Sequence, residues 1–110
     1  QFTGGFAGFV WSHLPREQMI EFLAYYHRYL QPGSQVDWVD NRFVEGSNTP
    51  IAESDEHGNT YQLRQLSDGS SHMVLKNFPA EAEIQRLLGG QVSAIEWLEL
   101  EYFWVLSYQV

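Results

Sequence analysis

Gly4-Gly5-Phe6-Ala7-Gly8-Phe9-Val10-Trp11 carries no charge and passes directly into Ser12-His13-Leu14-Pro15-Arg16-Glu17. An apolar run of this length, with glycines that admit a close neighbour, predicts a buried strand over Gly5 to Val10. Pro15, suited to a first helical position, and Glu17, suited to the positive helix end, predict a helix from about Pro15 to Leu30. Met19, Ile20, Leu23, Tyr26, His27 and Leu30 recur on one face of that helix. Gly33 is expected to stop it, and Val36 to Asp40 reads as a second apolar strand. Strand, crossover helix and parallel strand form the unit of α/β sheets, whose ligands sit at the carboxyl ends of the strands. Here those ends read Trp11-Ser12-His13 and Asp40-Asn41-Arg42.

Outward from this unit the pattern continues. Residues from about Gly46 to Leu75 form a polar excursion in which Thr60 to Leu66 and Ser71 to Leu75 flank Asp68-Gly69, a hairpin signal. An excursion after a sheet strand is a usual way to build a substrate cover. A second helix follows Asn77-Phe78-Pro79, with Asn77 as its expected cap, and ends at Gly89-Gly90. Val92 to Leu100 and Phe103 to Tyr108 are rich in strand formers and too closely linked to pair other than antiparallel.

Composition narrows the function classes. The chain has 110 residues, enough for one domain, with 44% hydrophobic and 15% aromatic residues. Six basic residues against 14 acidic ones give a net charge of −8, which argues against a nucleic-acid surface. There is no cysteine, hence no disulfide or thiolate metal site, in keeping with a cytoplasmic setting. No apolar stretch approaches the roughly 20 residues needed to cross a bilayer, and no signal peptide is visible. An apolar strand this close to the first residue suggests a piece of a larger fold.

The order of elements resembles the carboxyl-terminal half of a class I S-adenosylmethionine-dependent methyltransferase. Gly8 to Leu14 is similar to that family's fourth strand and the turn after it, Tyr29-Leu30-Gln31-Pro32-Gly33 to the end of the next helix, and Val36 to Asp40 to the fifth strand. Asn77 to Leu88 resembles the helix before the sixth strand, and Trp97 to Tyr108 the last two strands. The resemblance implies a partial Rossmann-like sheet in a three-layer sandwich, with a terminal antiparallel strand pair and residues 46–75 as a hairpin insertion or lid. It implies S-adenosylmethionine as cofactor, held by Trp11, Ser12 and His13, and a small-molecule acceptor met by Asp40, Asn41 and Arg42, Asp40 being a candidate base. The family's glycine-rich loop after the first strand and the acidic residue ending the second have no counterpart here.

Other readings carry different expectations. A non-catalytic module would act through dimerisation or partner binding at the unpaired edge of the first strand. Lys76 is a minor candidate for substrate contact. His27, His57 and His72 lack metal-ligand spacing. Glu99 and Glu101 read as a solvated face, and no Gly-x-Ser-x-Gly elbow surrounds Ser12. Trp97, Tyr102, Phe103, Trp104 and Tyr108 read as core, with Tyr102 and Trp104 also placed to wall an acceptor pocket.

Overall fold

The computed structural model describes residues 2–110. A four-stranded sheet holds β1 (Phe2–Gly8), β2 (Leu30–Asn41), β6 (Ser93–Glu99) and β7 (Phe103–Gln109) in the order β1-β2-β7-β6. β1 and β2 run parallel, and β7 lies antiparallel between β2 and β6. The parallel crossover is made by α1 (Met19–His27), and α2 (Glu81–Leu88) precedes β6. Between β2 and α2 the insertion forms its own sheet of β3 (Glu53–Ser54), β4 (Thr60–Gln65) and β5 (Ser71–Leu75). Asp68-Gly69 turns the β4–β5 hairpin as expected, with Gly69 at φ 87.

Both helices pack on the same sheet face. Val36, Trp38 and Asp40 on β2 alternate with outward residues and lie beside Tyr108, Leu106 and Trp104 on β7 in register. These apolar residues join Met19 and Leu23 of α1 and Ile84 and Leu88 of α2 in one buried cluster. Trp38 Nε1 donates to Tyr108 Oη at 3.0 Å, and that hydroxyl, whose pKa burial pushes up, lies within hydrogen-bond distance of His27 Nε2 at 2.7 Å. Tyr26 lies over Gly5, where a Cβ would come within 3.1 Å of its Cζ, so a larger residue would displace that ring. No helix of residues 2–110 covers the opposite face, so the three-layer arrangement is represented by two of its layers.

Several boundaries differ from the sequence expectation. β1 runs from Phe2 to Gly8 because Phe9 adopts φ 59, which leaves extended conformation and turns the chain out of the sheet. Pro15 is extended (ψ 138), so a 3-10 turn over Arg16–Gln18 comes before α1. α1 ends at His27, since Leu30 already pairs with Phe2 of β1. Gly33 therefore does not stop the helix. It lies inside β2 at φ 86, where the register jumps from Phe2↔Leu30 to Gly4↔Gln35 and the extra residues bulge out. Asn77 is not the cap of α2: Ala80 holds that position, and Asn77 is buried elsewhere.

Candidate functional site

The carboxyl ends of β1 and β2 and the end of β5 converge on one turn. Phe9, held by its N–H to the Val39 carbonyl at 2.8 Å, rests its ring edge-on against Phe103. Positive φ at a bulky residue is a strained state of the kind that collects at functional sites. The chain then forms a 3-10 turn over Trp11–His13. Trp11 points into the core, edge-on to Trp38 at 4.9 Å and to Trp104 at 5.9 Å.

Ser12 is buried beneath this turn and is held three ways. Its N–H donates to Asp40 Oδ2 at 2.8 Å, its Oγ accepts from Lys76 Nζ at 2.8 Å, and its carbonyl accepts from Asn77 N–H at 2.7 Å. Asp40 Oδ1 accepts from the Asn41 N–H at 2.7 Å and from Lys76 Nζ at 3.2 Å. Lys76 spends its third N–H on Asn41 Oδ1 at 2.9 Å. Lys76 is the only lysine of the chain, and its side chain is 6% exposed against 0% for Asp40. A buried charge pair of this kind persists because each partner satisfies the other's hydrogen-bonding groups. With both oxygens engaged and no solvent access, the Asp40 carboxylate holds the strand ends together and does not reach an acceptor in this conformation.

A second polar hub lies one turn further on. The Arg16 guanidinium meets Glu83 of α2 through two bonds at 2.8 and 3.1 Å, and reaches Asn77 Oδ1 and the Gly58 carbonyl. The main-chain N–H of Arg16 donates to buried Asn59 Oδ1 at 2.7 Å, and Asn59 Nδ2 donates to Glu17. Asn77 bridges Asn59 and the Leu14 carbonyl. The insertion is thus fastened to the strand ends by charged and amide groups on both sides of His13.

Of the residues proposed from sequence, Ser12, Asp40 and Asn41 are therefore brought together, while Trp11 lies in the core. His13 is exposed, with Nδ1 2.8 Å from the Leu75 carbonyl. Arg42 turns toward the β6–β7 connection, donating to the Leu100 carbonyl at 2.6 Å and facing Glu99 at 3.7 Å. Trp104 is core, stacked on Trp97, and Tyr102 is exposed. Sequence reasoning missed Arg16, Asn59 and the central place of Lys76. The one available signal was a solitary lysine between an alternating strand and Asn-Phe-Pro.

Beginning at Leu14, next to His13, a cleft of about 510 Å³ runs along α1 between Pro15, Phe22, Tyr25, Glu21 and Arg28. Its size and mostly apolar walls match those of small-molecule sites. Among the described residues no group of three or more His, Asp or Glu side chains could hold a metal ion. No helix of the described residues is long and apolar enough to cross a membrane.

Comparison with known proteins adds a fold. No protein-family model matches the chain, and no curated protein does. Among solved structures it is similar to DhpI in complex with SAH, at a TM-score of 0.73 and 21% identity over 99% of this chain. It is likewise similar to DhpI in its SAM-HEP complex, at a TM-score of 0.76 and 21% identity over 100% of this chain. The fold is that of a class I S-adenosylmethionine-dependent methyltransferase, over a partial chain. The chain spans about half the length of DhpI, 47% and 51% in the two structures. The inserted antiparallel β7 is the feature that the sequence resemblance required, and the alignment runs through the insertion as well as the sheet.

Proposed function

We propose that the protein is an S-adenosylmethionine-dependent methyltransferase, or the carboxyl-terminal part of one, acting in the cytoplasm on a small-molecule acceptor. The observation that carries this reading is the pinned turn at the carboxyl ends of β1 and β2, on a fold shared with a protein solved with SAM or SAH. When bound, S-adenosylmethionine supplies a methyl group activated by a sulfonium.

The residues present suit one wall of a site for that cofactor. Leu14, Phe22 and Tyr25 offer apolar surface, and Glu21 and Arg28 offer polar partners at its rim. His13 belongs to the same turn, while Trp11 and Ser12 support that turn from below. On the acceptor side, Asn41 keeps its Nδ2 donors free of partners among the described residues, since only its Oδ1 is engaged by Lys76. Asp40 fixes Asn41, and Arg42 fixes the β6–β7 connection beside it. Residues 46–75 act as a lid, tied down at Lys76 and Asn77. Methyl transfer is an in-line displacement that depends foremost on alignment, which a rigidly held turn provides.

Isothermal calorimetry of S-adenosylmethionine against the full-length natural protein tests the proposal. Saturable heat is expected, and no heat together with no thermal shift at millimolar cofactor would overturn it. The open edge of β1, with Phe2 and Phe6 67% and 71% exposed, favours a second reading, a non-catalytic module that pairs β1 with another chain. Light scattering after size exclusion decides that reading, because a monomer that also binds cofactor excludes it.

A further inference from the structure

Residues 46–75 share no apolar core with the sheet body. None of them belongs to the buried cluster beneath α1 and α2, and the two buried residues among 46–75 are amides, Asn59 and Gln62. Gln62 bonds within the insertion: its Nε2 donates to the Thr49 carbonyl at 2.9 Å, and its Oε1 accepts from Arg64 at 3.0 Å. Asn59 bonds across the boundary. Its Oδ1 accepts from the Arg16 main-chain N–H at 2.7 Å and from Asn77 Nδ2 at 2.9 Å, and its Nδ2 donates to Glu17 at 2.8 Å. The Arg16 guanidinium donates to the Gly58 carbonyl while Glu83 holds it to α2. Beside them the Thr60 N–H donates to Asn77 Oδ1 at 2.8 Å.

Each half of this contact is built without the other. On the insertion, Asp55 accepts from the N–H groups of His57 and Asn59 at 2.9 and 3.0 Å and from the Tyr61 hydroxyl at 2.9 Å. Gly58 turns that loop at φ 82, and β4 and β5 pair behind it from Tyr61 to Gln65. On the body, Glu83 fixes Arg16, while Ser12 and Asp40 hold Lys76 and Asn77. The two links between insertion and body also lie together, with Phe43 edge-on to Phe78 at 5.2 Å. Separating two preformed polar surfaces hands their donors and acceptors to water and draws no apolar side chain of 46–75 out of a core. It therefore costs far less than unfolding either part.

Resting on the lid in the methyltransferase reading above, we propose that the insertion swings open as one unit about its paired links, with Gly58 and Asn59 as its latch on Arg16 and Glu17. Its own sheet stays paired as it moves. The cleft along α1 begins at Leu14, two residues before Arg16, and His13 is bonded to the Leu75 carbonyl. Release of the latch thus clears the approach to the turn after β1 and to the mouth of the cleft. Entry of a ligand is governed by hydrogen bonds that water can replace, and closure restores them without repacking a core.

Amide hydrogen exchange of the full-length natural protein, followed over a urea series below its unfolding transition, tests this without any ligand. The Arg16 and Thr60 amides, bonded across the boundary, should be protected at least about tenfold less than the amides of β2. Urea should leave their exchange nearly unchanged, because the opening exposes little surface. The β4–β5 ladder amides should stay slower than Thr60. Asn59→Ala should speed exchange of the Thr60 amide by about tenfold and leave β2 as it was. Exchange of Arg16 and Thr60 only together with β2, and with the same steep urea dependence, overturns the proposal. So does exchange of the β4–β5 ladder in step with Thr60, since the insertion would then unfold rather than swing. Both outcomes are read from the unsubstituted protein, whether or not the variant folds. A failure of S-adenosylmethionine to bind in calorimetry would remove the methyltransferase reading and leave these exchange rates as they are.

Discussion

The two faces of the four-stranded sheet are built from the same strands and behave differently. On one face Val36, Trp38, Asp40, Trp104, Leu106 and Tyr108 lie under α1 and α2 and are all but inaccessible. On the other, Phe6, Val39, Val105 and Leu98 alternate with Asp37 and Ser107, and Phe6 and Leu98 remain largely exposed. The covered face also carries the charge pair that ties the insertion to the strand ends. Stability and site geometry therefore come from one side of the sheet, and the other side is apolar surface with no helix among the described residues to cover it.

That contrast can be tested at graded strength. Asp40→Ala should have the largest effect, because it leaves the Lys76 ammonium buried without a counter-charge; a loss of about 3–5 kcal/mol in denaturant unfolding is expected. The same variant should let an amine reagent modify Lys76 in the folded protein, where the parent's only lysine resists it. Next come two neighbours on β7. Leu106→Ala on the covered face should cost about 2–5 kcal/mol, and Val105→Ala on the open face about 1 kcal/mol or less. Equal losses from these two substitutions would refute the difference between the faces.

A smaller effect is expected from acid. Burial holds the His27 pKa below its ordinary value, so the unfolded chain binds a proton more readily than the folded one. Its contribution is present above the unfolded pKa of about 6.5 and is lost as pH falls from there through the folded value. Melting followed from pH 7 down to 5 should show this loss, and His27→Phe should flatten the profile across that window. The smallest effect belongs to Phe6→Lys on the open face. Stability in denaturant unfolding should change by no more than about 0.5 kcal/mol.

Much of the fold was legible because it follows from periodicity. The uncharged run before Trp11, the α1 stripe and the two terminal strands each announce an element, and loop lengths restrict how those elements pair. What periodicity does not carry is the competition between local and distant partners. Leu30 and Gly33 looked like a helix end, but Leu30 pairs with Phe2 of β1 and the Gly33 N–H donates to the Val110 carbonyl, which draws both into β2. Asn77 has the residue type of a cap, yet Asn59, Leu14, Thr60 and Arg16 claim its side chain from two other segments. The site was legible as two strand ends. Lys76 lies 36 residues beyond Asp40 in the chain, and no local pattern announces that the two will meet.

By itself, the sequence determined the α/β order, the position of the insertion and the polar residues at the strand ends, because these depend on spacing and residue type along the chain. Only the tertiary structure decided which groups are spent and which remain free. Burial engages both oxygens of Asp40 and all three donors of Lys76, and the Leu75 carbonyl, 62 residues from His13, accepts a hydrogen bond from its Nδ1. Hydrogen bonds between residues distant in sequence exist only once the chain has closed, and they set the chemistry at this turn.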